Sequence, residues 1–157
     1  MNNSLEFEQF DIPRIPLKGK KVAGIDFGTK QVGLAVCDEY HISVSPKGFF
    51  KRENADFWEK IIKTIVTERV AAIVVGMPYR EDKSVSKLML MIKDFVAQLH
   101  NKTGLPVLLF DESFSTRRAF DTMAEIGMKK KKQRAKGTKD LIAAAVILRD
   151  FLDENND

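Results

Sequence analysis

Short apolar runs alternate with stretches of helical spacing along most of the chain. Lys21 to Phe27 (KVAGIDF) reads as a strand, Gly28-Thr29-Lys30-Gln31 as a turn, and Val32 to Cys37 as a second strand, making a β-hairpin. Ile42 to Arg52 supplies a third strand, which Pro46 and Gly48 place at an edge or a bend. Phe57, Trp58, Ile61, Ile62 and Ile65 recur at helical spacing and predict a helix over 55–69. Ala71 to Val75 is a continuous apolar run ended by Gly76-Met77-Pro78, the pattern of a strand buried on both faces. A longer amphipathic helix is predicted over 83–100, stopped by Gly104 and Pro106. Val107 to Phe110 follows as another buried strand. Helices are then predicted over 115–125 and 138–152. The order βββ-α-β-α-β-α-α implies a mixed sheet with helices on both faces. Residues 1–19, with Pro13, Pro16 and Gly19 and no clear period, read as an extension ahead of one domain over 20–153; 154–157 form a tail.

At 157 residues, 44% of them hydrophobic and 31% charged, the chain has the balance of a single globular domain. Its longest apolar run, Leu141 to Leu148, is far short of the roughly 20 residues a spanning helix needs, so no membrane partner is expected. The N-terminus lacks the charged-then-apolar order of a signal peptide. Cys37 is the only cysteine, which excludes an intrachain disulfide or a cysteine zinc cluster. A cytoplasmic protein is the expectation.

The charge is unevenly spread. Lys129, Lys130, Lys131, Lys132, Arg134, Lys136 and Lys139 lie in one stretch without an acid; removing these seven cations from the net charge of +4 leaves −3. A slightly acidic body with one strongly basic segment suggests a polyanion partner, although a solvated surface loop has the same composition.

Acids at three places in the chain stand out. Asp26 ends an apolar strand, where a carboxylate is costly unless it is paired with cations or a metal. Gly24, Gly28 and Gly33 allow close approach there, and Thr29 and Lys30 add a hydroxyl and a cation. Asp111 and Glu112 follow the last buried strand; neighbouring side chains point to opposite faces, so only one of the pair can face Asp26. Asp140 opens the final helix, and Ala143 and Ala144, one turn on, share its face and let that helix lie close to the sheet. Each acid alone also fits a plainer role as a turn or helix-end residue. Together, hard oxygen ligands of this kind hold Mg²⁺ or Mn²⁺ and suit phosphoryl chemistry. Two such ions about 3.5–4 Å apart can activate water and stabilise the leaving oxygen of a phosphodiester.

The strings GIDFGTKQVGLAV, VVGMP, DESFST and KGTKDLIAAAVIL, in that order and spacing, resemble the YqgF/RuvX family over roughly residues 21–152. Its members are Holliday-junction-resolvase-like proteins of the RNase H-like superfamily, described as candidate pre-16S rRNA nucleases. The resemblance implies an α/β, RNase H-like fold with a five-stranded mixed β-sheet flanked by helices on both faces. It implies catalytic Asp26, Glu112 and Asp140, with Asp111 as a further metal ligand beside them. Thr29 and Lys30 match the family's turn, and Ser115 and Thr116 its ST pair; with Arg117 and the lysine-rich segment they are the expected nucleic-acid contacts. The family usually reads TKRIG where Gln31 and Val32 stand, and DERLST where Ser113 and Phe114 stand. Lys30, Arg80, Arg117 and Arg118 remain as cations near the acids.

The expected function is thus a two-metal endonuclease, dependent on Mg²⁺ or Mn²⁺, on an rRNA precursor or branched DNA, most readily in 5′-end processing of pre-16S rRNA among ribosome-assembly particles. A Holliday-junction resolvase and a non-catalytic nucleic-acid-binding module of the same fold are the alternatives. GIDFGT also resembles the phosphate hairpin of actin-like ATPases and sugar kinases, but those need a second lobe that 157 residues do not supply. No dimerisation stripe is visible, so a monomer or weak homodimer is expected.

Overall fold

The structure, a computed structural model, describes residues 16–112 and 138–155, with backbone only for 138–141. The elements are β1 (Val22–Phe27), β2 (Gln31–Cys37), β3 (Val44–Lys51), α1 (Phe57–Thr67), β4 (Ala72–Met77), α2 (Lys87–Thr103), β5 (Val107–Asp111) and α3 (Thr138–Asn155). The five strands form one sheet in the order β3-β2-β1-β4-β5. β1, β2 and β3 pair antiparallel, whereas β1, β4 and β5 run parallel. This is the mixed sheet expected from three early strands followed by crossovers through helices.

Period-two alternation divides the strand residues between two cores. On one face Ala23, Ile25, Phe27, Ile73, Val75 and Met77 pack with Phe57, Ile61 and Ile65 of α1 and with Ile92, Phe95, Val96 and Leu99 of α2. On the other, Val22, Ala35, Cys37, Val74 and Leu108 meet Ala144, Ala145, Ile147, Leu148 and Phe151 of α3. Helices therefore cover both faces. Gly24 lets α3 come close: a Cβ there would lie 2.6 Å from Leu148 Cβ and 2.8 Å from the Ala144 carbonyl oxygen. Of the two alanines read from the sequence as close-packing, Ala144 approaches the sheet and is fully buried with Ala145, whereas Ala143 is half-buried.

Several boundaries differ from the periodicity. β4 continues through Gly76 and Met77, which the apolar pattern reads as its terminator. α2 begins at Lys87 rather than Lys83, because Ser86 caps it: its Oγ accepts from Met89 N at 3.1 Å. Upstream, Asp82 Oδ1 accepts from the N and Oγ of Ser84, a local turn that competes with helix. Gly104, left-handed at φ 70°, closes α2 as expected. α3 continues past Leu152 to Asn155. The helix predicted over 115–125 lies outside the described residues. Among the described residues no helix is long and apolar enough to cross a membrane.

Candidate active site

Parallel strands end together. The C-terminal ends of β1, β4 and β5 therefore share one end of the sheet, the usual place for a ligand site in open α/β sheets. Asp26 is the penultimate residue of β1 and Glu112 follows β5 directly. β4 lies between them, which sets the two backbones roughly 10 Å apart.

Alternation gives the facing. Asp26 lies two residues after Gly24, which abuts α3, so its side chain takes the α3 face. It is half-buried and pairs across the hairpin with Gly33. Continuing the register of Ile25 with Val75 sets Asp26 beside Gly76. Glu112 reaches the same place from the other side, its Oε2 only 2.7 Å from where a Cβ on Gly76 would stand. Gly76 thus floors a trough beside the two carboxylates, into which Ile147 also projects, its Cδ1 2.6 Å from where that Cβ would stand. The Glu112 backbone is fixed by donation to Met77 O at 3.3 Å. Asp111, by the same alternation, turns to the opposite face and is exposed. The structure brings Glu112, and not Asp111, to the side of Asp26.

Asp140 lies in the first turn of α3. Ala144, one turn later, abuts Gly24, and Arg149 further on donates to Ile42 O at the far end of the sheet. α3 therefore runs antiparallel to β1, and its first turn lies toward the end that carries Asp26. The side chain of Asp140 is outside the described residues, as are Ser115, Thr116, Arg117, Lys129, Lys130, Lys131, Lys132, Arg134 and Lys136. Among the described residues no three His, Cys, Asp or Glu side chains converge.

Electrostatics sets Glu112 apart from an ordinary surface carboxylate. Burial pushes the Glu112 carboxyl above the ordinary range, and the Asp111 charge raises it further. A cation at the trough would restore its ionised form. The carboxylate oxygens of Asp26 and Glu112 are hard donors of the kind that fit Mg²⁺ or Mn²⁺.

Beside the acids, the β1–β2 turn exposes Thr29 and Lys30. Arg52, which sequence reasoning did not single out, holds this turn from the end of β3. Its backbone N donates to Lys30 O at 2.9 Å and its Nη1 to Thr29 O at 2.7 Å. Its guanidinium lies 4.5 Å from the Phe27 ring centroid. A cation thus stands at the turn where the family pattern has an arginine and this chain has Gln31. Gly76 was also missed as a site residue; a glycine inside an otherwise unbroken apolar strand was the available signal.

Known proteins are similar to this chain in sequence and in fold. A 129-residue match to a protein of Orientia tsutsugamushi, provisionally named pre-16S rRNA nuclease, is 35% identical and covers 82% of this chain and 81% of that one. A protein of Chlorobaculum tepidum with the same provisional name is 33% identical over 138 residues, 87% of this chain and 96% of its own. Among solved structures, Thermus thermophilus RuvC in complex with a Holliday junction substrate superposes with a TM-score of 0.57 at 17% identity, covering 87% of this chain and 96% of that one. Fowlpox virus resolvase with its junction DNA gives 0.57 at 9% identity, covering 87% and 99%. The fold is that of the RuvC-like, RNase H-like resolvases. The profile of the RuvX family, described as Holliday junction resolvase, matches residues 20–154, and the chain belongs to that family.

Proposed function

We propose that this chain is a divalent-metal-dependent endonuclease that hydrolyses phosphodiester bonds in structured nucleic acid, with the 5′ end of precursor 16S rRNA as its substrate. The observation that carries the reading is the pair Asp26 and Glu112 on one face of the sheet, flanking the trough at Gly76. The names of the relatives supply the rRNA substrate. Asp26, Glu112 and Asp140 would hold Mg²⁺ or Mn²⁺, as one ion or a pair. Bound there, the metal supplies Lewis acidity, activating water and neutralising charge on the leaving oxygen.

The chain's own residues have separate tasks. Asp26 and Glu112 present carboxylate oxygens from two strands that the sheet holds rigidly apart, so the site is formed before substrate arrives. Lys30 and the Thr29 hydroxyl approach the phosphate from the β1–β2 turn. Asp111, facing away, acts on the site only through its charge on Glu112. Ser115, Thr116, Arg117 and the lysine-rich segment grip the phosphates on either side of the scissile bond. In the reaction a water oxygen forms a bond to phosphorus, the bridging P–O bond breaks, and the leaving oxygen takes up a proton.

The family description favours a second substrate, the four-way DNA junction. Both are tested by cleavage of a precursor 16S rRNA fragment and of a synthetic junction, each with Mg²⁺, Mn²⁺ or EDTA, beside Asp26→Asn. Metal-dependent cutting of the RNA, lost in Asp26→Asn while its melting and nucleic-acid binding persist, is the expected result. Cutting of the junction alone assigns the resolvase activity. Binding of both with cutting of neither overturns the nuclease and leaves a binding module.

A further inference from the structure

On the face opposite α3, a cavity of about 170 Å³ opens between the N-terminal part of α1 and the middle of α2. Arg52, Asn54, Phe57, Trp58, Asp94 and Gln98 line it, with Phe95 beneath. We propose that this cavity is a subsite for one unpaired nucleotide of the substrate strand, its base against the aromatic wall and its phosphate on Arg52. The proposal rests on the nucleic-acid reading above and adds a place and a chemistry to it.

The wall is aromatic, with Phe57 and Phe95 buried and Trp58 half-buried. Trp58 stacks on Phe95 at 5.2 Å with 20° between the rings, and Phe57 meets Trp58 edge-on at 5.4 Å. Phe95 packs in turn on Phe27 at 5.0 Å, so the wall is continuous with the end of β1. Bases stack on such surfaces irrespective of sequence because every base has a π-face. The rim is polar. Gln98 Nε2 donates to Asp94 Oδ2 at 2.7 Å, which orients the amide and leaves the second Asp94 oxygen and the Gln98 carbonyl oxygen as acceptors for exocyclic amino groups. Asn54 adds an exposed amide. An exclusively apolar ligand would leave these groups without partners.

Arg52 ties the cavity to the acids. The residue that lines it also holds Thr29 and Lys30 through their carbonyl oxygens, three and four residues beyond Asp26. A guanidinium has five N–H donors, and the turn engages one of them. The others suit a phosphate. Lys102 Nζ, 5.3 Å from the Trp58 ring centroid, puts a second cation against the same wall. A strand crossing the acidic trough can round the β1–β2 turn, place a phosphate on Arg52 and drop the next base into the cavity.

Trp58 is the only tryptophan of the chain, so its fluorescence reports the cavity directly. The test titrates the full chain in EDTA with a five-nucleotide single-stranded RNA and with an abasic oligomer of equal phosphate count. The RNA should quench Trp58 and the abasic oligomer should not. Asn54→Ala combined with Gln98→Ala should weaken the RNA titration about tenfold, the order expected for loss of one base contact. In cleavage assays the same double variant should raise KM more than it lowers kcat. Equal quenching by both oligomers, no quenching by either, or a double variant that titrates normally overturns the subsite even if cleavage is observed. Base-dependent quenching in a protein that cuts neither rRNA nor junction upholds the subsite and removes the nuclease.

Discussion

Gly24 and Gly76 both face α3, and the atoms that crowd them differ in kind. An added Cβ at Gly24 meets Leu148 Cβ and the Ala144 carbonyl oxygen, parts of α3 that move only with the helix. Gly24→Ala should therefore cost about 1–3 kcal/mol in urea denaturation through overpacking. At Gly76 the same Cβ meets the tips of two side chains, Ile147 Cδ1 at 2.6 Å and Glu112 Oε2 at 2.7 Å. Those can swing aside, so Gly76→Ala should destabilise less but displace the carboxylate, lowering metal affinity or cleavage about 10–100-fold. Undiminished cleavage in that variant would remove Glu112 from the site. Glu112 also gives the metal-free protein a pH signature. Its folded pKa lies above the ordinary carboxylate value, so the folded state binds the proton more tightly than the unfolded one. Stability must then fall as pH rises from the ordinary value through the raised one. Glu112→Gln removes this contribution. In EDTA its Tm should exceed that of the unaltered protein at about pH 7 and converge with it at about pH 4. Mg²⁺ or Mn²⁺ should raise the Tm of the unaltered protein and leave that of Glu112→Gln nearly unchanged. Parallel melting curves across the range would refute this account of the carboxyl.

Among the elements, α2 shows how far apolar spacing reaches. Its inner face, Ile92, Phe95, Val96 and Leu99, is legible at a period of 3.6 because all four bury against the sheet. Its start is not legible in that way, since Asp82, Ser84 and Ser86 set it by hydrogen bonds that carry no apolar signal. Ser86→Ala should cost about 1 kcal/mol by denaturant melting. A negligible change would mean that burial of Met89 and Ile92 alone fixes the first turn. The same division runs through the site. Asp26 and Glu112 are visible in the sequence because a carboxylate at the end of an apolar strand is conspicuous. Alternation already requires that only one of Asp111 and Glu112 face Asp26. Choosing between them takes the register of β5 on β4, a pairing between segments about thirty residues apart. Arg52 was invisible for a similar reason: it meets Thr29 from 23 residues away, on a different strand. Gly76 looked like a strand end because its neighbours Ile147 and Glu112 come from elsewhere in the chain.

At the scale of the whole molecule, topology concentrates charge at one end. β1, β4 and β5 finish there, and α1 and α2 begin there because each crosses from a strand ending at that edge. The segment 113–137 leaves the sheet just after Glu112 and rejoins the described structure at Thr138, at the start of the helix carrying Asp140. Its two attachment points therefore both belong to elements that carry the candidate acids. In the proposed nuclease the basic residues would hold phosphates while the carboxylates hold a metal, attraction from one set offsetting repulsion from the other. Each phosphate contact on a single strand releases condensed counterions and contributes about 0.7 to the slope of log binding constant against log salt concentration. Replacing Lys129, Lys130, Lys131 and Lys132 with glutamine should flatten that slope by up to about 3 for single-stranded RNA in EDTA. Cleavage by the same variant should fall steeply at high salt and recover as salt is lowered, since the acids are untouched. A slope that does not change would place the contact surface elsewhere, and the exposed cations of the described end, Lys30, Lys51 and Arg80, would be the next to replace.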